Sequence, residues 1–396
     1  MAENKDKKVL NVPNLRFPEF QGEWQETRLK EISKFSKERL NSIELSCSNY
    51  VTTENMLQDY KGIVSATNLP TNTNVVKFSK GDVLLSNIRP YLKKVWYADR
   101  NGGCSADVFV FKALPICNSN FLHHVIANDR FIKFVMGGAK GVKMPRGDKE
   151  QMITYKVGLP CIEEQKKIAN LLSLLDERIS TQNKIINKLQ SLIKGIMIEL
   201  QKQGQNKGNW RNVLLSKVLT ERDERNTNLY QVFSVSVSRG VINQVDYLGR
   251  SFAARDTSKY NVVHYGDLVY TKSPTGAYPY GIVKQNLNQE NVAVSPLYGV
   301  YIPNSLSVGT YLHEYFRSEI NTHNYLHPLI QKGAKNTINI TNQRFLENSV
   351  PMPVCANELL LISKLLISFN DKIKYQQSIL QQYQKQKQYL LRQMFI

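Results

Sequence analysis

A chain of 396 residues, 42% of them apolar, is long enough for two or three domains that each bury a core. Lys and Arg number 52 against 33 Asp and Glu, a formal net charge of +19, which implies an anionic partner, nucleic acid ahead of a membrane surface. No apolar run reaches the roughly 20 residues of a membrane-spanning helix, the polar N-terminus carries no secretory h-region, and Cys47, Cys104, Cys117, Cys161 and Cys355 form no Cys-x-x-Cys or zinc spacing, so a cytoplasmic protein with reduced thiols is expected.

Residues 1–14, rich in lysine, read as a flexible lead. Residues 15–158 read as a first globular domain, opening on LRFPEFQGEW with Trp24 as a packing residue. Residues 75–78, then Gly81 and Asp82 followed by Val83, Leu84 and Leu85, give a turn and a buried strand, with Asp82 a turn residue rather than a catalytic acid. A strand over 108–111 and a helix over 120–135 follow, then a Gly138-Ala139-Lys140 turn and a strand ending at Leu159-Pro160.

Residues 159–203 form a first helical region. Ile186, Leu189, Ile193, Ile196 and Leu200 are spaced 3, 4, 3, 4, the seam of a coiled coil. A helix from Asp176 to Leu200 would be about 38 Å long. The polar stretch 201–209 (QKQGQNKGN) is expected to break it, with 204–209 as a linker.

The second half repeats the first. Residues 210–350 form a second domain, where WRNVLL at Trp210 echoes WQETRL at Trp24. Gly266 and Asp267 before Leu268, Val269 and Tyr270 repeat the Gly-Asp strand 185 positions on. A strand over 297–302, a helix over 308–318, a Gly333-Ala334-Lys335 turn and Pro351-Met352-Pro353 follow. In the second helical region, 351–396, Asn370-Asp371-Lys372-Ile373 matches Asp176-Glu177-Arg178-Ile179 at an offset of 194. The same offset carries the first seam onto Leu380, Tyr383, Lys387, Leu390 and Met394, with Lys387 in place of Ile193. Neither seam can be buried alone, so the helices are expected to pair. The fold class is mixed α/β (α+β): two globular domains separated by two long helices in an antiparallel coiled coil, with an internal pseudo-twofold repeat.

Catalytic signatures are missing. The chain has no G-x-G-x-x-G or Walker-type phosphate loop, no Asn-Pro-Pro-aromatic tetrapeptide, no nuclease carboxylate cluster, no hydrolase triad and no zinc spacing of its six histidines. His123-His124 reads as structural. No catalytic, metal-binding or cofactor-binding residue is therefore assigned, and the chemistry is expected to lie in partners.

DNA binding needs cations and amides on exposed loops. In the first domain the loop after the Gly-Asp strand offers Ser86, Asn87, Arg89, Tyr91, Lys93 and Lys94. The matching loop of the second offers Lys272, Ser273, Tyr278 and Tyr280. The Gly-Ala-Lys loops add Lys140, Lys143 and Arg146 in one domain and Lys332, Lys335 and Asn336 in the other, with Arg239, Arg250 and Arg255 as further candidates. Arg can bond guanine bidentately, whereas Lys more often marks a phosphate.

Nearly the whole length resembles the specificity subunit of type I restriction-modification systems. The likeness rests on the LRFPEFQGEW opening, the twice-repeated Gly-Asp strand and Gly-Ala-Lys turn, and above all residues 160–180 (PCIEEQKKIANLLSLLDERIS), with their E-Q-x-x-I-A-x-L-L pattern. The second copy departs from that pattern: Gln165 has no Gln counterpart and Ala169 becomes Ser363. The resemblance implies that each domain reads one half of a bipartite double-stranded DNA target. It implies that the paired helices set the spacing and dock two modification (methyltransferase) subunits, joined by restriction (endonuclease and translocase) subunits. S-adenosylmethionine, ATP and Mg²⁺ would bind those partners and not this chain. A helix pair of the expected length would hold the readers roughly one duplex turn apart, about 34–36 Å. Two other readings remain open on the sequence alone: a DNA modification or cleavage enzyme with an unrecognised site, and a basic coiled-coil adaptor.

Overall fold

The computed structural model describes residues 11–332 and 338–396, the side chains of 332, 338 and 339 excepted. The chain forms two compact units, Met1–Gln182 with Ile379–Ile396, and Asn183–Ser378. Among the described residues no helix is long and apolar enough to cross a membrane.

In the first unit a four-stranded antiparallel sheet runs Ser33–Phe35, Val108–Ala113, Val83–Ser86, Val95–Tyr97. Side chains on a strand alternate between faces, and here they feed two different cores. Val83, Leu85, Phe109 and Phe111 face one cluster with Phe121 and Phe131. Leu84, Val108 and Val110 face a second with Phe78, Trp96 and Cys104. This is why the Gly-Asp strand is apolar at successive positions. A second sheet runs Arg39–Asn41, Asn74–Phe78, Gly102–Cys104, Tyr50–Val51, its last pair parallel. The helix expected over 120–135 is two helices, Ser119–Ile126 and Asp129–Gly137. Asn128 makes the break, because its side chain accepts from Arg130 N and caps the second.

The second unit repeats the plan. Its four-stranded sheet runs Leu219–Glu221, Gly299–Pro303, Leu268–Tyr270, Val283–Gln285, beside the pair Asn261–Val263 and Val292–Val294. The Gly-Asp turn is the same in both units. Gly81 and Gly266 have φ of 92° and 91°, a region open to glycine. Asp82 accepts from Ser79 N and Asp267 from His264 N, each at 2.8 Å. Both acids are therefore held in turns. Each unit is also tied by a two-stranded ribbon, Gln25–Arg28 with Lys156–Leu159 and Trp210–Leu214 with Ser349–Pro353. Trp24 and Trp210 are buried at these ribbons.

The two long helices run Ile162–Asn206, 45 residues and about 68 Å, and Ala356–Gln393, 38 residues and about 57 Å. The helix does not break at 201, and the linker expected over 204–209 begins inside it. Gly204 is a packing residue there: a Cβ would lie 2.1 Å from the Trp210 ring. The seam positions turn inward. Ile186, Ile193, Lys387, Leu390 and Met394 are buried, while Leu189, Ile196, Leu200, Leu380 and Tyr383 are half-buried.

Within the first unit the start of one long helix pairs with the end of the other. Asp176 meets Lys387, and the Arg178 guanidinium lies 5.9 Å from the centre of the Tyr383 ring. Numbers rise along one helix as they fall along the other, so the pair is antiparallel. The motif residues anchor these helices to their domains. Gln165, buried, accepts from Asn118 N and donates to Ile116 O and Pro160 O. In the second copy Ser363, the counterpart of Ala169, donates its hydroxyl to Leu360 O and lies 2.9 Å from Ser307 Oγ, which can donate to it.

Candidate nucleic-acid interface

In the first unit the buried strand Val83–Ser86 runs into a closed loop. Ser86 N donates to Lys94 O at 3.0 Å, and a 3₁₀ turn, Pro90–Leu92, fills the loop. Arg89 and Lys93, on either side of that turn, hold left-handed backbone angles, φ 51° and 54°. Such angles are costly outside glycine and persist only where neighbours over-determine them. The neighbours are on hand: Arg89 N donates to Pro145 O, and Leu92 O and Lys93 O accept from Asp59 N and Tyr60 N. Asp59 and Tyr60 are themselves left-handed.

The Pro145 bond joins this loop to the second basic segment. Lys140 and Arg146 exchange both backbone hydrogen bonds at 2.9 Å, which makes a hairpin whose tip includes Gly141, Val142, Lys143 and Met144. Gly147 N donates to Asn87 O, and Ile88 bridges Arg146. The two sets separated by some fifty residues in sequence thus form one surface. Arg89, Tyr91, Lys140, Lys143 and Arg146 are exposed on it, with Asn87 and Lys93 half-buried. Lys94 is turned to the framework: its Nζ donates to Thr53 O, and burial pulls its pKa down. Ser86 is a correction. It is buried, and its hydroxyl is committed to Ile88 O, so it shapes the loop rather than presenting a contact.

Carboxylates, unnoticed in the sequence, complete this face. Asp129 lies 2.8 Å from Lys93 Nζ and accepts from the Tyr60 hydroxyl, whose pKa burial raises first and Asp129 raises further. Asp148 lies 2.7 Å from Lys140 Nζ; that hydrogen bond lowers the Asp148 pKa and raises that of Lys140. Asp107 lies 3.5 Å from Arg146. Asp107 and Asp129 lie 39 and 36 residues from the cations they meet, so local spacing does not announce them, whereas Asp148 closes the same hairpin segment as Lys140.

In the second unit the loop after Leu268–Tyr270 starts at Lys272, again left-handed at φ 60°. Gly281 permits this, since a Cβ there would sit 2.8 Å from Lys272 N. Burial lowers the Lys272 pKa. Ser273 is exposed, and Tyr280 is half-buried with its ring 5.3 and 5.9 Å from His323 and His327. Tyr278 is the second correction: it is buried and its hydroxyl donates to Arg317 O, a framework role. Arg239, Arg250 and Arg255 are exposed, and two of them lie over aromatic rings, Arg239 on Tyr247 and Arg250 on Phe252. The Lys332 side chain, Lys335 and Asn336 lie outside the described residues.

His123 and His124 pack in the core of the first unit. His124 is fully buried, and burial, with His123 and Lys387 nearby, keeps its imidazole neutral far below the usual range. Among the described residues no group of three or more His, Cys, Asp or Glu is gathered as a metal site.

The chain is similar to known proteins. Residues 21–191 match the family described as "Type I restriction modification DNA specificity domain". The chain is 27% identical over 217 residues to the type I restriction enzyme MjaVIII specificity subunit of Methanocaldococcus jannaschii, a match covering 50% of this chain and 46% of that protein. It is 24% identical over 120 residues to the type I restriction enzyme EcoDI specificity subunit of Escherichia coli, covering 30% and 27%. The matched region thus spans about half the length of these curated relatives, or less. The fold is similar to that of the type I restriction-modification system S subunit from M. genitalium, with a TM-score of 0.61, 12% identity and coverage of 97% of this chain and 99% of that one. Residues 21–191 thus match the type I restriction-modification specificity family, and the chain is similar in sequence and fold to specificity subunits of that kind.

Proposed function

We propose that this chain is the noncatalytic DNA-specificity subunit of a type I restriction-modification complex in the cytoplasm. Each globular domain reads one half of a bipartite duplex target. The observation that carries the reading is the joined face of the first unit, where Arg89 N bonds Pro145 O and two basic segments present their cations together. Lys93, Lys140 and Lys143 suit phosphates, while Arg89, Arg146 and Asn87 suit base edges. In the second domain the contact set is Lys272, Ser273, Tyr280, Arg239, Arg250 and Arg255, with Lys332, Lys335 and Asn336. The long helices space the domains and dock two modification subunits, and restriction subunits complete the assembly. S-adenosylmethionine, ATP and Mg²⁺ serve those partners.

Methylome sequencing of cells carrying this chain with modification and restriction partners tests the proposal. The expected result is methylated adenine in a two-part motif that disappears when the chain is deleted. An unchanged methylome overturns it. Incubating the purified chain alone with DNA plus S-adenosylmethionine or Mg²⁺ addresses the enzyme reading, and no turnover is expected. Inserting one or two helical turns after Gln190 should lengthen the spacer and leave both half-sites as they were.

A further inference from the structure

The first unit's basic face carries its own counter-charges. Of its six cations, Lys93, Lys140 and Arg146 each have a carboxylate within 4 Å, at 2.8, 2.7 and 3.5 Å. Lys94 is bonded to a carbonyl, and Arg89 and Lys143 have no ion pair among the described residues. The acids, Asp129, Asp148 and Asp107, come from different segments of the chain, and two of them have second tasks that fix them in place. Asp129 accepts from Tyr60 Oη, and Asp148 caps the helix Lys149–Met152 by accepting from Glu150 N and Gln151 N.

We propose that Asp107, Asp129 and Asp148 are specificity-setting residues, which suppress sequence-independent phosphate binding by this face. The inference rests on the DNA-reading function proposed above. A lysine already paired with a carboxylate gains little from a phosphate, because one anion replaces another and the displaced acid then sits beside the duplex. A base edge offers what the acid cannot: a planar donor-acceptor pattern that rewards a guanidinium such as that of Arg146. The acids therefore weaken binding to a random duplex, where nothing replaces the broken ion pairs, more than binding to the target, where contacts to the right bases offset the loss. With three acids set against six cations, the face keeps a net charge of about +3, enough for encounter but not for tight random binding.

The substitutions Asp107→Asn, Asp129→Asn and Asp148→Asn remove charge and leave shape, and Asn remains a sound helix cap at 148. Glu26→Gln is the control, since Glu26 forms an exposed pair with Lys156 in the same unit, outside this face. The full chain is titrated with a random-sequence duplex over a range of salt, and with a duplex carrying the methylome-derived target. Each Asp→Asn variant should bind the random duplex about threefold more tightly, the size of one charge contact a few ångströms away through water. The slope of log K against log salt should steepen by up to about 0.9 per acid. Target affinity should rise less, so that discrimination falls. In a Lys140→Gln background, Asp148→Asn should still tighten random-duplex binding, because the acid, no longer paired, faces the phosphates directly. Variants that match Glu26→Gln, or that gain equally on target and random duplexes, overturn the inference while leaving the function intact. A wild-type chain that binds no duplex with a salt slope instead removes the function on which it rests.

Discussion

Lys387 places its Nζ 2.5 Å from Oδ1 of Asp176, across the antiparallel pair of long-helix segments in the first unit. Position 387 is the one seam position at which the 194-residue repeat replaces an apolar residue, Ile193, by a charge. The acid on the facing helix explains the exception. One polar pair in an apolar seam fixes register, because a slip of either helix leaves the charge buried alone. The two partners differ in exposure: the Lys387 side chain is 11% exposed and that of Asp176 35%. Asp176→Ala strands a buried ammonium and should cost about 1–3 kcal/mol. Lys387→Ile returns an apolar residue to the seam and leaves an acid that water can reach, so its cost should be smaller. Denaturant melts of the two variants check the order; equal losses would mean that the pair contributes only packing.

A second expectation concerns acid. His124 is neutral in the fold because of its burial, whereas in the unfolded chain it takes a proton near pH 6.5. Its folded pKa is depressed, so below pH 6.5 the unfolded state binds more protons and stability falls as the pH falls. The slope is up to about 1.4 kcal/mol per pH unit for this one group, and it vanishes above pH 6.5. His124→Leu should flatten the decline between pH 6.5 and 5 without reducing stability at pH 7.5. Thermal melts across that range measure it.

Gly204 gives a third. Alanine is ordinarily the better helix former by about 1 kcal/mol. Here its methyl would meet the Trp210 ring at 2.1 Å. That ring is buried and its Nε1 donates to Glu358, so it cannot swing away cheaply. The clash should win, and Gly204→Ala should destabilise the second unit by about 1–3 kcal/mol. A raised melting temperature would show that the indole yields.

Arg89 supplies the fourth. Its backbone is held by Pro145 and its side chain is exposed. Arg89→Ala should cost about 1–3 kcal/mol on the first half-site and nothing on the second, if the guanidinium meets a base. Uniform loss on all duplexes would mark a phosphate contact instead.

Much of the fold is legible in the sequence because the repeat displays it twice. The Gly-Asp turn, the buried strand after it and the tryptophans at the ribbons all stand where periodicity and turn chemistry put them. The errors share a cause. Gly204 looks like a breaker until Trp210 is seen against it, and Asn128 looks like mid-helix until its side chain is seen capping a new helix. Ser86 and Tyr278 are polar residues in polar-looking loops, yet their hydroxyls are committed to nearby carbonyls. Two acids of the basic face were invisible for the same reason: Asp107 and Asp129 meet Arg146 and Lys93 only after long-range folding, and tertiary proximity leaves no trace in local spacing.

The first unit also recruits residues made long after its own domain. Phe395 stacks on Phe121, Arg130 Nη1 donates to Phe395 O, and Leu15 N donates to Gln393 O. Some 200 residues of chain separate Gln182 from Ile379, where this unit resumes. At ordinary translation speeds of 5–20 residues per second that is a wait of roughly 10–40 s. Through that interval the nascent first domain stands with an open apolar seat, a natural stop for chaperones, and a ribosome that halts early would release a protein whose earliest-made half had never closed.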